Sequence, residues 1–333
     1  MKPLSNRTFD VLCMGEALVD FLPDSRAKRV RDVVGWTRCP GGSPANVAIG
    51  LARLEARAAY LGVVGDDEFG HFLQDALAGE GVDVRAMRLT DEARTGLVFI
   101  TLDEKGERSF TDYRKPSAEL LLSSADVRAF DLSDTRCVHL VANSLVMPAA
   151  AQAARDLLRL AREQGCLTSC DPNLRCSFWD DPARLRALIA ELLPQLDVLK
   201  LADDEIEFVT GESDPARALR VLAERGVKLP VVTLGARGAV ALHAGRILEA
   251  QAPRVEVVDQ TGAGDGFDAG LLASLAGHLR RGAAFQDLDD AQVREAMAFG
   301  CRVGARVVTR LGAVAGLPRR AELLERPEAA PAA

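Results

Sequence analysis

A glycine-rich turn carries the clearest chemical signal in this sequence. It spans residues 257–267 (VVDQTGAGDGF) and leads into an apolar segment. Gly262 and Gly264 allow backbone amides to crowd together where a helix begins, and the free N–H groups of such a terminus bind anions such as a phosphoryl group. Asp265 lies in the same turn, so its carboxylate can accept a proton from a hydroxyl group while the amides hold the phosphoryl group that is transferred.

The same turn also has a purely structural interpretation, in which the aspartate only caps a helix. Two better-known glycine patterns are excluded. Position 267 is Phe, so the turn is not the dinucleotide pattern G-x-G-x-x-G, and no Lys follows as the G-x-x-x-x-G-K-[ST] loop requires. The chain also lacks an early glycine fingerprint, which argues against an NAD-dependent dehydrogenase.

Two motifs near the N-terminus place polar and small residues where a ligand could bind. Residues 15–20 (GEALVD) leave a predicted strand and bring Asp20 to its carboxyl end, where open α/β sheets bind ligands. A carboxylate there can accept two hydroxyl groups of a sugar, although an exposed loop aspartate is the commoner case. Residues 41–48 (GGSPANVA) follow, and Ser43 before Pro44 predicts a capped helix start.

Three motifs in the second half of the chain have comparable features. Residues 171–175 (DPNLR) end in Arg175, whose planar guanidinium suits bidentate contact with a phosphate or carboxylate. Residues 199–205 (LKLADDE) bring acids that could help to hold a metal, but acids also favour the first turn of any helix. Residues 231–238 (VVTLGARG) end a strand in glycines, which permit a ligand to approach the backbone closely.

Short apolar runs alternate with longer segments of helical period, which predicts an α/β fold with a mostly parallel sheet covered by helices on both faces. Strands are predicted at 11–14, 58–64, 137–141, 196–199 and 230–234. Helices are predicted from Ser43 onward and at 147–164, 263–279 and 291–307.

One region departs from this alternation and predicts a small β lid. Residues 97–102 and 108–113 read as a hairpin with a turn at 103–106, which contains Gly106. We therefore predict an α/β core from 1–17, 39–95 and 117–321, a lid from 18–38 and 96–116, and a disordered tail at 322–333.

Composition narrows the class of partner to small molecules. The net charge is −7 and no basic block occurs, so neither nucleic acid nor an anionic membrane surface is expected. No apolar run approaches the ~18 residues of a membrane span, and the N-terminus lacks the apolar region of a signal peptide. Seven cysteines without a C-x-x-C pair suit a reducing compartment, and we expect a cytoplasmic protein. Four scattered histidines argue against a structural zinc site.

Taken in order, these motifs resemble those of the PfkB/ribokinase family of sugar kinases, most closely its fructokinase-like members. The resemblance extends from Gly15 to about Gly312. It implies a ribokinase-like fold, ATP as cosubstrate with Mg²⁺, and transfer of the γ-phosphoryl group to a primary hydroxyl of a free sugar. D-fructose, giving fructose 6-phosphate, is favoured over ribose, because ribokinase-like chains usually carry G-G-K-G-A-N where this chain has G-G-S-P-A-N.

The resemblance also assigns roles to individual residues. Asp265 is the implied general base, beside an anion hole at Gly262, Ala263 and Gly264. The implied substrate contacts are Asp20, Gly41, Gly42, Asn46, Arg114, Arg175 and Asp265. The implied ATP contacts are Asn173, Lys200, Thr233, Gly235, Gly238, Gly262, Gly264 and Cys301. Glu205 would hold Mg²⁺ through water. Asp259, Thr261 and the segment around Gly312 resemble the K⁺ loop of activated relatives.

Four positions depart from the family pattern. Ala202 and Cys301 stand where relatives often carry Asn, and Gln260 stands where many have Thr. Asp112 begins Asp-Tyr-Arg where fructokinases typically have Phe-Tyr-Arg. The first two departures leave the water network around Mg²⁺ and the adenine contacts open.

Several alternatives stay open from the sequence. Arg114 could hold a carboxylate, so 2-keto-3-deoxygluconate is the nearest rival acceptor, and aminoimidazole riboside is another. A catalytically silent relative that binds a sugar or nucleotide as a regulator is a different class, disfavoured by the intact base and anion hole. Related lids often dimerise and their exposed edges favour pairing, so we also expect a homodimer through the lid.

Overall fold

Two β-sheets account for all the strands that the structure, a computed structural model, describes in residues 2–25, 27, 29–103, 108–142 and 145–323. In chain order the strands are β1 (Phe9–Met14), β2 (Leu18–Pro23), β3 (Trp36–Gly41), β4 (Ala58–Gly65), β5 (Asp83–Thr90), β6 (Leu97–Leu102), β7 (Arg108–Tyr113), β8 (Thr135–Val141), β9 (Leu167–Asp171), β10 (Val198–Ala202), β11 (Leu229–Thr233), β12 (Ala239–His243) and β13 (Arg246–Ala250).

The larger sheet has the order β13-β12-β11-β10-β9-β8-β1-β4-β5. All neighbours in it pair in parallel except β11 with β12 and β12 with β13. Its central strands β4 and β8 are buried along their whole length, as expected for strands covered on both faces. The predicted mostly parallel sheet is confirmed. The predicted strand 196–199 lies at β10 instead, because a 3-10 turn at Leu193–Gln195 delays its start.

Helices cover both faces of this sheet, as predicted. In chain order they are α1 (Ser43–Arg53), α2 (Glu68–Gly79), α3 (Ser124–Arg128), α4 (Pro148–Glu163), α5 (Pro182–Leu192), α6 (Ile206–Thr210), α7 (Pro215–Glu224), α8 (Ala263–Arg280), α9 (Asp290–Val307) and α10 (Ala313–Gly316). Apolar residues of α1, α8 and α9 join one core cluster, and those of α4, α5 and α7 join the other. No described helix is both long and apolar enough to cross a bilayer.

Local sequence explains where the site helices begin and how closely they pack. Asp289 caps α9 in a reciprocal capping box with Gln292. A methyl group added at Gly270 of α8 would lie 2.7 Å from the Cα atom of Gly300 on α9, so the two helices approach backbone to backbone. Ser43 does not cap α1 as expected: Gly42 is the N-cap residue, with φ +93°, and Ser43 is the first helical residue.

The smaller sheet is the predicted lid and has the order β3-β2-β6-β7. β2 pairs antiparallel with β3 and parallel with β6, and β6 with β7 forms the predicted hairpin. β3 continues to Gly41, three residues past the boundary expected at residue 38. Residues 104–106 of the predicted turn lie outside the described residues, as does the part of the expected disordered tail from residue 324 onward.

Candidate active site

The side chains expected to act on a substrate meet where α8, α1 and the carboxyl ends of β9 and β10 approach the lid sheet. Asp265 occupies the first turn of α8 and is buried. Asp171 ends β9, and Lys200 lies on β10. Asp20 lies within β2 of the lid itself rather than in a loop after β1. Ligands of open α/β sheets bind at this edge.

Both carboxylate oxygens of Asp265 are held by donors from α1. Ser43 Oγ donates to Oδ1 at 2.6 Å, and Asn46 Nδ2 donates to Oδ2 at 2.8 Å. Burial raises the pKa of Asp265 above its usual range, against the opposing effect of these two hydrogen bonds. The carboxylate is therefore fixed in position and is more basic than an exposed aspartate, which suits a proton acceptor.

Backbone amides surround Asp265 at the start of α8. Gly262 is the N-cap residue in the left-handed region, with φ +78°, and a methyl group there would lie 2.5 Å from the Cβ atom of Ala313. The N–H groups of Gly264 and Asp265 have no acceptor within the helix, because the first N–H groups of any helix lack one. The anion hole expected at Gly262, Ala263 and Gly264 falls on this turn. The N–H group of Ala263 donates to the carbonyl oxygen of Gln260 at 3.2 Å, and the helix dipole favours an anion at the free amides.

A buried lysine lies directly beneath this anion hole. The Nζ atom of Lys200 is 2.7 Å from Asp171 Oδ2 and 3.7 Å from Asp268 Oδ2. A methyl group at Gly264 would lie 2.9 Å from that Nζ atom. Burial opposes the charge of Lys200, but Asp171, Asp268 and Glu205 outweigh it and raise the pKa of the ammonium group. Lys200 therefore places a fixed positive charge beside the amides.

Asp171 and Asp268 have opposite pKa shifts within this cluster. Burial opposes ionisation of Asp171, but Lys200 and a hydrogen bond from Asp268 outweigh it and lower the pKa of Asp171. Burial raises the pKa of Asp268 well above its ordinary value, despite the nearby charge of Lys200, and the charge of Asp171 raises it further. The two carboxyl groups beside Lys200 are thus shifted in opposite directions, and Asp171 is the more acidic of the two.

The DPNLR segment is tied to the end of β10 through Glu205. Its Oε1 accepts from the N–H of Leu174 at 2.6 Å and its Oε2 accepts from the N–H of Ala202 at 2.8 Å. Asn173 has φ +42°, and its N–H donates to Asp171 Oδ1 at 2.9 Å. Arg175 is exposed, with its guanidinium 5.9 Å from the ring of Phe110 on the lid. Glu205 therefore keeps the segment in place, and its carboxylate retains lone pairs for water.

The expected sugar contacts form the lid side of the site. Gly41 and Gly42 lack side chains where one would overlap the Asp20 carboxylate and the carbonyl oxygen of Glu16, respectively. Burial raises the pKa of Asp20 to about 7, and the charges of Asp265, Asp112 and Glu16 add to it while Arg114 opposes it. Asp20 therefore changes its charge near neutral pH.

Arg114 is buried rather than free to clamp a ligand. It is 4% exposed, its Nε atom lies 2.9 Å from Glu119 Oε1, and its guanidinium stacks 4.3 Å from the ring of Phe178. Among the described residues, its Nη2 atom has no hydrogen-bond partner. One buried nitrogen of Arg114 is therefore left without an acceptor.

The expected nucleotide contacts lie around the ends of β11 and β13. Thr233 ends β11, and Gly235 follows with open space where a side chain would extend. A side chain at Gly238 would overlap the carbonyl of Ala250. Cys301 is buried on α9, with its Sγ atom 3.8 Å from that same carbonyl oxygen. Cys301 therefore lies against the end of β13.

Asp259 joins the glycine-rich turn to the start of α10. Its Oδ1 accepts from the N–H of Thr261, and its Oδ2 accepts from the N–H of Gly312, each at 2.7 Å. The structure thus brings together the three parts of the expected K⁺ loop.

Sequence reasoning missed two residues of this site, Ser43 and Asp268. The sequence motif predicts Ser43 only as a helix cap. Asp268, three residues after Asp265, belongs to none of the motifs. The signal for Asp268 was its spacing, since residues three apart share a helix face. No local signal marks Ser43, because its partner Asp265 is 222 residues away.

Comparisons with known proteins converge on one family. The model of the pfkB family carbohydrate kinases matches residues 8–320. A fructokinase from Vibrio alginolyticus is 36% identical over 315 residues, covering 93% of this chain and 96% of that protein. A double-mutant fructokinase from Vibrio cholerae O395, with fructose, ADP and potassium bound, superimposes with a TM-score of 0.84 at 34% identity and covers 95% of this chain and 97% of that one. An aminoimidazole riboside kinase from Salmonella enterica, complexed with its riboside and an ATP analogue, gives 0.82 at 31% identity, with 94% and 98% covered.

Proposed function

The chain belongs to the pfkB family of carbohydrate kinases, and we propose that it transfers the γ-phosphoryl group of ATP to D-fructose to give fructose 6-phosphate. The observation that carries this proposal is Asp265, a buried carboxylate held by Ser43 and Asn46 within the amide-lined start of α8. Similarity to fructokinases along nearly the whole chain supports fructose as the acceptor.

The roles of the chain's own residues follow from their chemistry. The sugar would be oriented with its primary hydroxyl facing Asp265 by four residues, namely Asp20, Gly41, Gly42 and Asn46. Asp265 takes the proton of that hydroxyl, and the hydroxyl oxygen attacks the γ-phosphorus of ATP in line. The bond between the γ-phosphorus and the β–γ bridging oxygen then breaks. The amides of Gly262, Ala263 and Gly264 stabilise the charge of the phosphoryl group during transfer.

Residues on the core side would hold the nucleotide and its ions. The ATP site would be lined by Asn173, Thr233, Gly235, Gly238 and Cys301. Lys200 would lie beneath the phosphoryl group, and Arg175 would bind that group through its guanidinium. The hard oxygen donors of Glu205 fit the water shell of Mg²⁺, an ion that would neutralise charge on the β- and γ-phosphates. Asp259 and Thr261 would hold K⁺. The lid would exclude water that could otherwise hydrolyse ATP.

Turnover of a panel of acceptors tests the proposal. ADP release is measured with fructose, ribose, 2-keto-3-deoxygluconate, aminoimidazole riboside, nucleosides and fructose phosphates. Fructose should give the highest kcat/KM, with a product phosphorylated at its primary hydroxyl. Aminoimidazole riboside is the second candidate, because a kinase for it is among the similar structures. No stimulation by any acceptor would favour a silent, ligand-binding regulator.

We also propose a cytoplasmic homodimer that pairs through its lid. The support for the location is that all seven cysteines are free. The support for pairing is that β3 and β7 are the two edges of the lid sheet, and that Phe110 and Tyr113 on β7 are 49% and 60% exposed.

A further inference from the structure

Asp112 of β7 lies on the face of the lid that looks into the acceptor site. Asp20 pairs with Val98, and Val98 pairs with Asp112, so the three side chains point to the same face of the sheet. The separation of neighbouring strands places Asp112 about 10 Å from Asp20, measured along the sheet. Asp112 is exposed.

Contacts on either side of Asp112 establish that this face meets the core. Two residues before it, Phe110 lies 5.9 Å from the guanidinium of Arg175 in the DPNLR segment. Two residues after it, Arg114 stacks on Phe178 of the core. Alternate residues of a strand share a face, so Asp112 is directed into the cleft between these two contacts.

The lid side of the cleft carries an excess of negative charge. Asp20 feels the charges of Asp265, Asp112 and Glu16, and only Arg114 opposes them. Arg114 is itself paired with the buried Glu119, so a further carboxylate accompanies the one positive charge. The unpartnered Nη2 atom of Arg114 is one buried donor that a sugar oxygen could satisfy. The polar groups here suit hydroxyl groups better than a carboxylate.

We propose that Asp112 is a specificity-determining residue of the acceptor site. With Asp20 it makes the lid side of the cleft anionic, so that the enzyme selects neutral polyhydroxylated acceptors and rejects sugar acids. The inference rests on the proposed function, since it concerns the acceptor of the same phosphoryl transfer. It also separates fructose from 2-keto-3-deoxygluconate on physical grounds.

The test compares Asp112→Asn with the wild-type enzyme, using kcat/KM for D-fructose and for 2-keto-3-deoxygluconate. Removing one charge about 10 Å from Asp20 should lower the preference for fructose about three- to ten-fold, and high salt should shrink the difference. The acid limb of the pH profile for fructose should also move to lower pH, because Asp20 loses a neighbouring negative charge. Asp75→Asn is the matched control: Asp75 is an exposed acid on α2, whose Phe69 packs against Phe21 on the opposite face of the lid.

Each outcome decides between the inference and the proposed function. If Asp112→Asn and Asp75→Asn keep the same ratio and the same pH profile as wild type, the role of Asp112 is wrong, whereas fructose stands as the acceptor. If the wild type prefers another neutral sugar, the fructose assignment fails, and the ratio measured with that sugar still tests Asp112. A wild type that prefers 2-keto-3-deoxygluconate would overturn both.

Discussion

Asp265 gains its basicity from burial and its position from two side chains of α1. Removing either donor would free one carboxylate oxygen of Asp265 to move. Ser43 and Asn46 therefore contribute equally to the position of the base. Asp20 is the second acid whose ionisation matters, because protonation turns one of its two acceptor oxygens into a hydrogen-bond donor.

The pKa of Asp20 predicts a pH dependence for sugar capture. Because this pKa is raised to about 7, Asp20 becomes protonated in the free enzyme as the pH falls below that value. We expect kcat/KM for fructose to fall with it, by up to about tenfold per pH unit. The groups that set the midpoint are Asp265, Asp112, Glu16 and Arg114. Steady-state kinetics at saturating ATP measures the profile.

Asp20→Asn provides the control for this profile. Position 20 then no longer titrates, so the acid limb with its midpoint near pH 7 should be lost. An unchanged midpoint in Asp20→Asn would assign the limb to another group.

The approach of α8 to α9 fixes the position of the amide-lined turn. Side chains are absent where the two helices are closest: Gly270 faces Gly300, and a methyl group at Gly266 would lie 2.6 Å from a methyl carbon of Val307. Short side chains therefore allow a long helix to place its N-terminus beside Lys200.

Two substitutions on α8 test this packing. Gly270→Ala should lower the free energy of unfolding by about 1–2 kcal/mol, because the overlap with Gly300 outweighs the gain in helix propensity. Gly277→Ala is the matched control, since the nearest atom to its new methyl group is Arg281 Nη1 at 3.5 Å, and it should raise stability by up to ~1 kcal/mol. Urea unfolding measures both. Equal stability of the two variants would show that α8 and α9 can separate without cost.

The sequence predicted the elements well wherever their signals are local. Alternating apolar runs predicted the core strands, the chain around Gly106 predicted the lid hairpin, and the turn at Gly262 predicted the start of α8. Contacts between residues far apart in the sequence had no such local signal. The hydrogen bond from Ser43 to Asp265 and the opposite pKa shifts of Asp171 and Asp268 depend on how strands β9 and β10 and helices α1 and α8 pack together. A single sequence does not record these distances.

At the scale of the whole molecule, a core sheet lies beside a lid sheet whose two edge strands are β3 and β7. From these unpaired edges we predict the oligomeric state. Light scattering at micromolar concentration should give twice the chain mass of 35.7 kDa. Tyr113→Glu should reduce it to a single chain, because a charge would then stand on the exposed face of edge strand β7. Asp75→Glu serves as the control. A monomeric wild type would contradict pairing through the lid.

Family membership and the geometry around Asp265 together indicate a kinase in which Asp265 takes the proton of the acceptor hydroxyl. The turnover of Asp265→Asn tests this claim most directly. The variant should bind fructose and ATP as the wild type does, because asparagine has the same shape as aspartate. Its kcat should fall at least ~10²-fold, since the acceptor hydroxyl loses its base. A kcat near that of the wild type would contradict the assignment of Asp265 as the group that takes the proton.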